Sequence, residues 1–280
     1  LAAGQPALPE PCPGVDFTHP DFALLCGRTG LEAGAVSWFY TSQDRCRSWQ
    51  GPYALGDFGL PGIAARTDYV VLGPRDLLLF LTAAKTNGRE GRPFCVRTTD
   101  GGQTWRFVAW IGPEPEGFAI MPSSVRIARP GSPDAARILT AIRCRGREAS
   151  GGATGSTAEE RMWLDLYASD DEGESWQYLG RPVAHTGSWG NPPALIPVAG
   201  QPTGLCLTYG YRNAPYGIRA RLSMDGGETW GEERVLRADG GNRDLGYPRT
   251  VQRSDGRFVT VYYFNDAPDG ERYIEATIWG

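Results

Sequence analysis

Basic residues recur at one kind of place in this sequence, directly after short apolar strand-like runs: Arg28, Lys85, Arg143 and Arg212, with Asn265 at the matching position near the end. A second polar set stands at the entry to such runs: His19 with Asp21, Arg66 with Asp68, Ser123, Asn191, and Asp244 with Tyr247 and Arg249. Core positions of a sheet are ordinarily apolar, so this recurrence asks for an explanation. Guanidinium groups gathered round one point bind a carboxylate through paired parallel hydrogen bonds, because the planar fork matches the two oxygens. Surface arginines paired with loop carboxylates are the plainer alternative. His19, in Thr18-His19-Pro20-Asp21, has the residue type for acid–base work near neutral pH, or for bonding its own turn.

The elements that must position these residues are announced by a repeat. Thr98–Trp105 and Ser223–Trp230 both read Ser/Thr-x-Asp-x-Gly-x-Thr-Trp, Ser169–Trp176 matches with Ser for Thr, and Ser42–Trp49 is degenerate, with Cys46 where glycine is expected. Such an octapeptide suits a hairpin turn: the Asp accepts backbone N–H groups, the glycine takes positive φ, and the Trp plugs the gap to a neighbouring sheet. The intervals from Trp49 to Trp105, Trp176 and Trp230 each fit a four-stranded sheet with loops. Paired runs precede the boxes or close the chain: Gly62–Arg66 with Leu78–Lys85, Ile120–Val125 with Ile138–Arg143, Asn191–Ile196 with Leu205–Arg212, and Tyr247–Val251 with Arg257–Tyr263. His19–Leu24 opens the first unit. Five units are countable, with a Pro-rich lead before residue 19.

In such an architecture the inner strands line a central funnel, the polar sets above converge on its mouth, and the boxes lie on the opposite side in a structural role. Thr86–Arg92 and the Gly/Ser/Ala-rich Gly146–Arg161 read as long loops, the second as a lid or an insertion.

Composition narrows the classes. Among 280 residues there are 38 Gly, 22 Pro and 9 Trp against 3 Met and 2 His, a mixture suited to many short strands and tight turns. The net charge of −4 argues against a general nucleic-acid binder, so an anionic ligand needs a local arginine cluster. No apolar run reaches membrane-spanning length, and no signal peptide is visible. The cysteines Cys12, Cys26, Cys46, Cys95, Cys144 and Cys206 include no Cys-x-x-Cys pair, which argues for buried thiols over zinc and leaves one bridge among the first three open.

The boxes, with Thr208–Arg212, Ile218–Ser223, Gly246–Pro248 and Asp255–Arg257, resemble the sialidase (BNR-repeat, Asp-box) superfamily from about residue 19 to the end. The resemblance implies an all-β, six-bladed β-propeller forming a single domain over residues 1–280, one N-terminal blade being absent or hidden in the first fifty residues. It also implies an exo-acting glycosidase that holds the carboxylate of a terminal acidic sugar by arginines and attacks with a tyrosine activated by a glutamate. No cofactor, metal or nucleic acid is implied, and a glycan substrate favours a secreted or periplasmic setting. On that pattern Tyr247 is the nucleophile or charge stabiliser. Asp68 is the acid/base with Asp21 second. Arg212, Arg143, and Arg66 or Arg249 bind the carboxylate, with Lys85, Asn191 and Asp244 beside them. Two departures stand: Asn191 occupies the place of the activating glutamate, and the Phe-Arg-Ile-Pro signature is absent. A lyase or rhamnosidase-like propeller using His19 with Tyr247, and a glycan-binding module without turnover, are the rival readings; His185 reads as a rim residue.

Overall fold

The computed structural model describes residues 9–148 and 159–280, and among them every regular element is a β-strand. They form two compact units, Leu1–Glu114 and Pro115–Gly280.

The first unit holds two antiparallel meanders. One is β1 (Ala23–Arg28), β2 (Ser37–Ser42) and β3 (Gln50–Ala54); the other runs β4 (Ile63–Gly73), β5 (Asp76–Ala84), β6 (Glu90–Thr98) and β7 (Arg106–Trp110). The run Leu77–Ala84 in β5 is buried on both faces, which is why it reads as continuous apolar sequence and not as alternation. Aromatic rings fill the rest: Phe94 stacks on Phe107 with centroids 5.6 Å apart, and Trp105 meets Phe39 edge-on at 5.5 Å. Burying one such ring contributes about 1.5–3 kcal/mol, so these contacts carry much of the unit's cohesion.

The second unit holds three meanders. They are β8 (Phe118–Arg129), β9 (Ser132–Glu148), β10 (Glu159–Ser169) and β11 (Gln177–Val183); β12 (Ala194–Pro197), β13 (Leu205–Tyr211), β14 (Tyr216–Ser223) and β15 (Arg234–Gly240); and β16 (Gly246–Gln252), β17 (Phe258–Phe264) and β18 (Tyr273–Trp279). Buried hydroxyls stitch them side to side: Ser123 Oγ accepts the Leu195 N–H at 2.9 Å, and Thr208, Thr250 and Thr260 form a hydroxyl chain at 2.7 and 3.0 Å.

Each box is a closed hydrogen-bond ring at the turn before the last strand of its sheet. In the box at Thr98, its Oγ1 donates to Asp100 Oδ1 at 2.8 Å and accepts the Gly102 N–H at 2.9 Å, while Thr104 donates its N–H at 2.9 Å and its hydroxyl at 2.5 Å to the same carboxylate. The Ser42, Ser169 and Ser223 boxes repeat this pattern. Glycine is demanded by space as well as by φ: a Cβ on Gly227 would lie 2.6 Å from Leu166 Cδ2. Cys46 occupies the equivalent position at φ 63.

The structure decides four expectations. The described residues contain five sheets, two in the first unit and three in the second, where six had been expected. The lead does not build a sheet of its own: Glu10 bridges Tyr53 beside β3, and Cys12, Val15 and Phe17 sink into the first unit's core. The Gly146–Arg161 segment is partly strand, with Gly146 opposite Arg161 and Arg147 opposite Glu160; its Gly/Ser/Ala-rich middle lies outside the described residues. The cysteines are all free thiols, so no bridge joins Cys12, Cys26 and Cys46.

Candidate functional site

In the second unit the site is built at the sheet ends opposite the boxes. There β8 and β16 lose register at their beginnings, between Ile120 and Ser123 and between Gly246 and Arg249. Each bulge holds a non-glycine residue in left-handed backbone just before a proline: Met121 at φ 56 and Tyr247 at φ 51. A bulge re-aims a side chain out of the strand's alternation. Tyr247 is accordingly 42% exposed although it opens an inner strand.

Asn191 holds that bulge. It is fully buried, its Oδ1 accepts the N–H groups of Tyr247 at 2.9 Å and Gly210 at 3.3 Å, and its Nδ2 donates to the Leu245 carbonyl at 3.0 Å. The flanking glycines leave it room, since a Cβ on Gly246 would come within 2.3 Å of its amide. All of its polar atoms are used on backbone, which places Asn191 behind the tyrosine as a support.

Around this support runs a polar chain. Arg212 donates Nε to the Leu245 carbonyl at 3.0 Å and Nη2 to the Tyr263 hydroxyl at 2.6 Å. Tyr263 donates in turn to Asp244 Oδ1 at 2.8 Å, and Arg272 donates to Asp244 Oδ2 at 2.9 Å. Asn265 pins the loop by bonding the Asp244 carbonyl at 2.7 Å. The Tyr263 bond, reinforced by Arg272 and Arg212 against partial burial, holds the Asp244 carboxyl below its ordinary range. Burial pushes the Tyr263 phenol up to about 12, with Arg212 opposing and Asp244 reinforcing the shift. The Arg212 guanidinium lies 5.7 Å over the Tyr247 ring, and the two tyrosine rings are 5.8 Å apart. Beside this chain opens a cleft of about 690 Å³ lined chiefly by Trp189, Arg212, Asn242, Arg243, Asp244 and Arg272.

Arg143 is brought to the same end but is buried, and its Nη2 donates to the Trp189 carbonyl. Ser123 is likewise buried and bonded to backbone. Arg249 stands on the exposed side of β16 and makes no ion pair among the described residues. His185 is exposed on the loop before Trp189 and accepts the Gly187 N–H at 3.3 Å through Nδ1.

The first unit holds the other expected residues. Arg66 sits in the bulge of β4 and pairs with Glu90 at 2.6 Å; Asp68 lies mid-strand opposite Phe80 and accepts the Tyr69 N–H at 2.9 Å. Lys85 is buried just past β5, and Arg28 ends β1 exposed. His19 and Asp21 precede β1 at the end where Ala23 faces Ser42, the start of the degenerate box, so they are at the box end of their sheet and not at the end of Arg28. Asp21 is paired there with Arg45 of the box turn at 2.7 Å, and His19 Nδ1 accepts the Asp21 N–H at 3.2 Å. Among the described residues no group of three or more His, Cys, Asp or Glu is placed to hold a metal.

The residues that sequence reasoning passed over are Tyr263, Trp189, Arg243 and Arg272. Tyr263 stands next to last in an ordinary β-rich run, Phe258–Phe264, and nothing in its neighbours in sequence marks it. Its partners Arg212 and Asp244 come from other segments.

No protein-family model matches this sequence, and no curated protein sequence matches it. Solved structures do. A Dyadobacter fermentans protein of unknown function aligns with a TM-score of 0.66 at 22% identity over 95% of this chain and 74% of its own. The fold is a β-propeller. A thermostable family-43 glycoside hydrolase aligns at 0.54 and 13% identity over 94% of this chain and 88% of its own. A mutant of NanB sialidase from Streptococcus pneumoniae aligns at 0.57 and 17% identity over 88% of this chain, which spans only 36% of the sialidase. At these identities the likeness speaks to the propeller fold, with the five sheets as its blades.

Proposed function

We propose that this propeller is a glycan-acting hydrolase whose cleft in the second unit takes a sugar bearing a carboxylate. The observation that carries the reading is the set of three guanidinium groups, Arg212, Arg243 and Arg272, lining one cleft with an exposed indole, Trp189. Cationic forks bind a sugar acid and an aromatic face takes the C–H face of a sugar ring. The two glycoside hydrolases among the similar folds support the chemistry by analogy of fold.

Of the two phenols beside Arg212, Tyr263 has the proton acceptor, Asp244 at 2.8 Å. The reading gives Tyr263 the nucleophile's role and Asp244 that of its base, an aspartate standing where the sialidase pattern has a glutamate. As Tyr263 Oη bonds the anomeric carbon, its proton passes to Asp244, the glycosidic C–O bond breaks and the leaving oxygen takes a proton from water. The hydroxide so formed then attacks the anomeric carbon, the C–O bond to Tyr263 breaks, and the phenolate takes its proton back from Asp244. A neutral phenol avoids repulsion with the substrate's carboxylate. Tyr247 then supplies an exposed hydroxyl for developing charge or for the sugar.

A panel of chromogenic glycosides tests this: sialosides and glucuronides against neutral arabinosides and glucosides. Turnover of an acidic member, lost in Arg212→Ala, is expected. Turnover of neutral members alone would overturn the acidic-sugar reading, and saturable binding without turnover of any member would leave a lectin in place of a hydrolase.

A further inference from the structure

Trp189 is held in a manner that core packing does not require. It is 57% exposed, yet its backbone sits at φ 72, a left-handed conformation in which a bulky side chain is an outlier. Three devices hold it there. The buried guanidinium of Arg143 donates to the Trp189 carbonyl. Gly187 bridges Arg212, with the Arg212 N–H donating to Thr186 O at 2.9 Å; a Cβ on Gly187 would come within 2.4 Å of Arg212 backbone. Ser188 donates its N–H and its hydroxyl to Asn213 Oδ1, both at 2.9 Å. One face of the indole is backed by Arg243, whose guanidinium lies 4.9 Å over the ring and which has no ion pair among the described residues. The same two side chains line the cleft with Arg212 and Asp244.

Backbone strain kept in place by buried clamps marks a presented side chain. Resting on the acidic-sugar reading above, we infer that Trp189, backed by Arg243, is a stacking platform for the neutral sugar adjoining the acidic one, with Arg143 as its positioning residue. Arg212 takes the acid; Trp189 measures what is attached to it. A flat indole contributes contact area with little rotamer entropy lost, and its backing cation keeps the plane fixed.

The test is calorimetric binding of matched probes to the full chain: N-acetylneuraminic acid against 3′-sialyllactose, and glucuronic acid against glucuronyl-glucose. Trp189→Ala is expected to weaken the longer member of the bound pair about tenfold, the order of one aromatic contact, while leaving the monosaccharide within about twofold. Trp189→Tyr restores most of the loss, and Arg212→Ala weakens both members. Equal loss on both members, or no loss on either, overturns the platform while Arg212-dependent binding keeps the acidic-sugar reading. Failure of the wild-type chain to bind any of the four removes both.

Discussion

Tyr263 and Asp244 are joined by a hydrogen bond of 2.8 Å in which the phenol donates, and Arg212 donates to the same phenol oxygen at 2.6 Å. The tyrosine thus has a proton acceptor on one side and a fixed positive charge on the other. The two partners stand nineteen positions apart in the chain. In the proposed reading Asp244, on the loop before β16, takes the part of the carboxylate that Asn191 does not offer.

Tyr263→Phe is expected to lower kcat on the acidic substrate by at least about 10³, because it removes the attacking oxygen itself. Tyr247→Phe should act more mildly and mainly on KM. Steady-state kinetics on both variants separates the roles; equal kcat for wild type and Tyr263→Phe would remove Tyr263 from the chemistry.

Asn191→Ala strands the N–H groups of Tyr247 and Gly210 in a fully buried place, while the Leu245 carbonyl keeps its bonds from Arg212. Each orphaned group costs about 1–3 kcal/mol, so urea unfolding should show a fall of at least that size. Asn191→Asp should also destabilise, since the carboxylate then faces the Leu245 carbonyl without a donor. A midpoint unchanged in both variants would contradict the bonding described.

Cys46→Gly should stabilise the protein by up to about 1 kcal/mol, because Cys46 holds φ 63 where the fuller boxes use glycine. Cys46→Ala keeps the same strain and serves as the control. Chemical denaturation midpoints for the three proteins give the comparison, and a loss of stability in Cys46→Gly would be the contrary result.

The boxes make the protein acid-sensitive. In Asp44 the hydroxyl and backbone bonds from Ser48 and the hydroxyl of Ser42 lower the carboxyl; in Asp100, Asp171 and Asp225 burial raises it, but bonds from Thr104, Ser175 and Thr229 outweigh burial and bring it below the ordinary value. Groups with a depressed folded pKa contribute stability that is complete above the unfolded carboxylate value of about 3.9 and is lost as pH falls through the lower folded value. Thermal melts should therefore weaken below about pH 4, and the Asp171→Asn variant should show a shallower acid limb.

Much of the fold was legible because its signals are local. A box closes on itself within eight residues, so its Asp, hydroxyl and glycine positions can be read from spacing alone, and the structure shows the same ring of bonds at Ser42, Thr98, Ser169 and Ser223. The inner strand pairs were legible for the same reason, as continuous apolar runs such as Leu77–Leu81. The first unit misled: His19-Pro20-Asp21 looks like an inner-strand entry, but the strand it leads into runs up from the box end. Direction along a strand is a matter of pairing, and no residue in the segment states it.

By itself the sequence determined the all-β propeller and the box turns, and it singled out Arg143, Asn191, Arg212, Asp244 and Tyr247 as candidates, because each reading follows from periodicity or from turn chemistry within a few residues. Only the tertiary structure decided which of these residues face the cleft and which are spent on backbone. Asn191 and Arg143 are consumed inside, as a support for Tyr247 and a clamp for Trp189. Tyr263 takes its polar partners, Arg212 and Asp244, from two other segments. The physical reason is that a hydrogen bond depends on position and direction in space, and for groups far apart in sequence both are set by how the sheets pack.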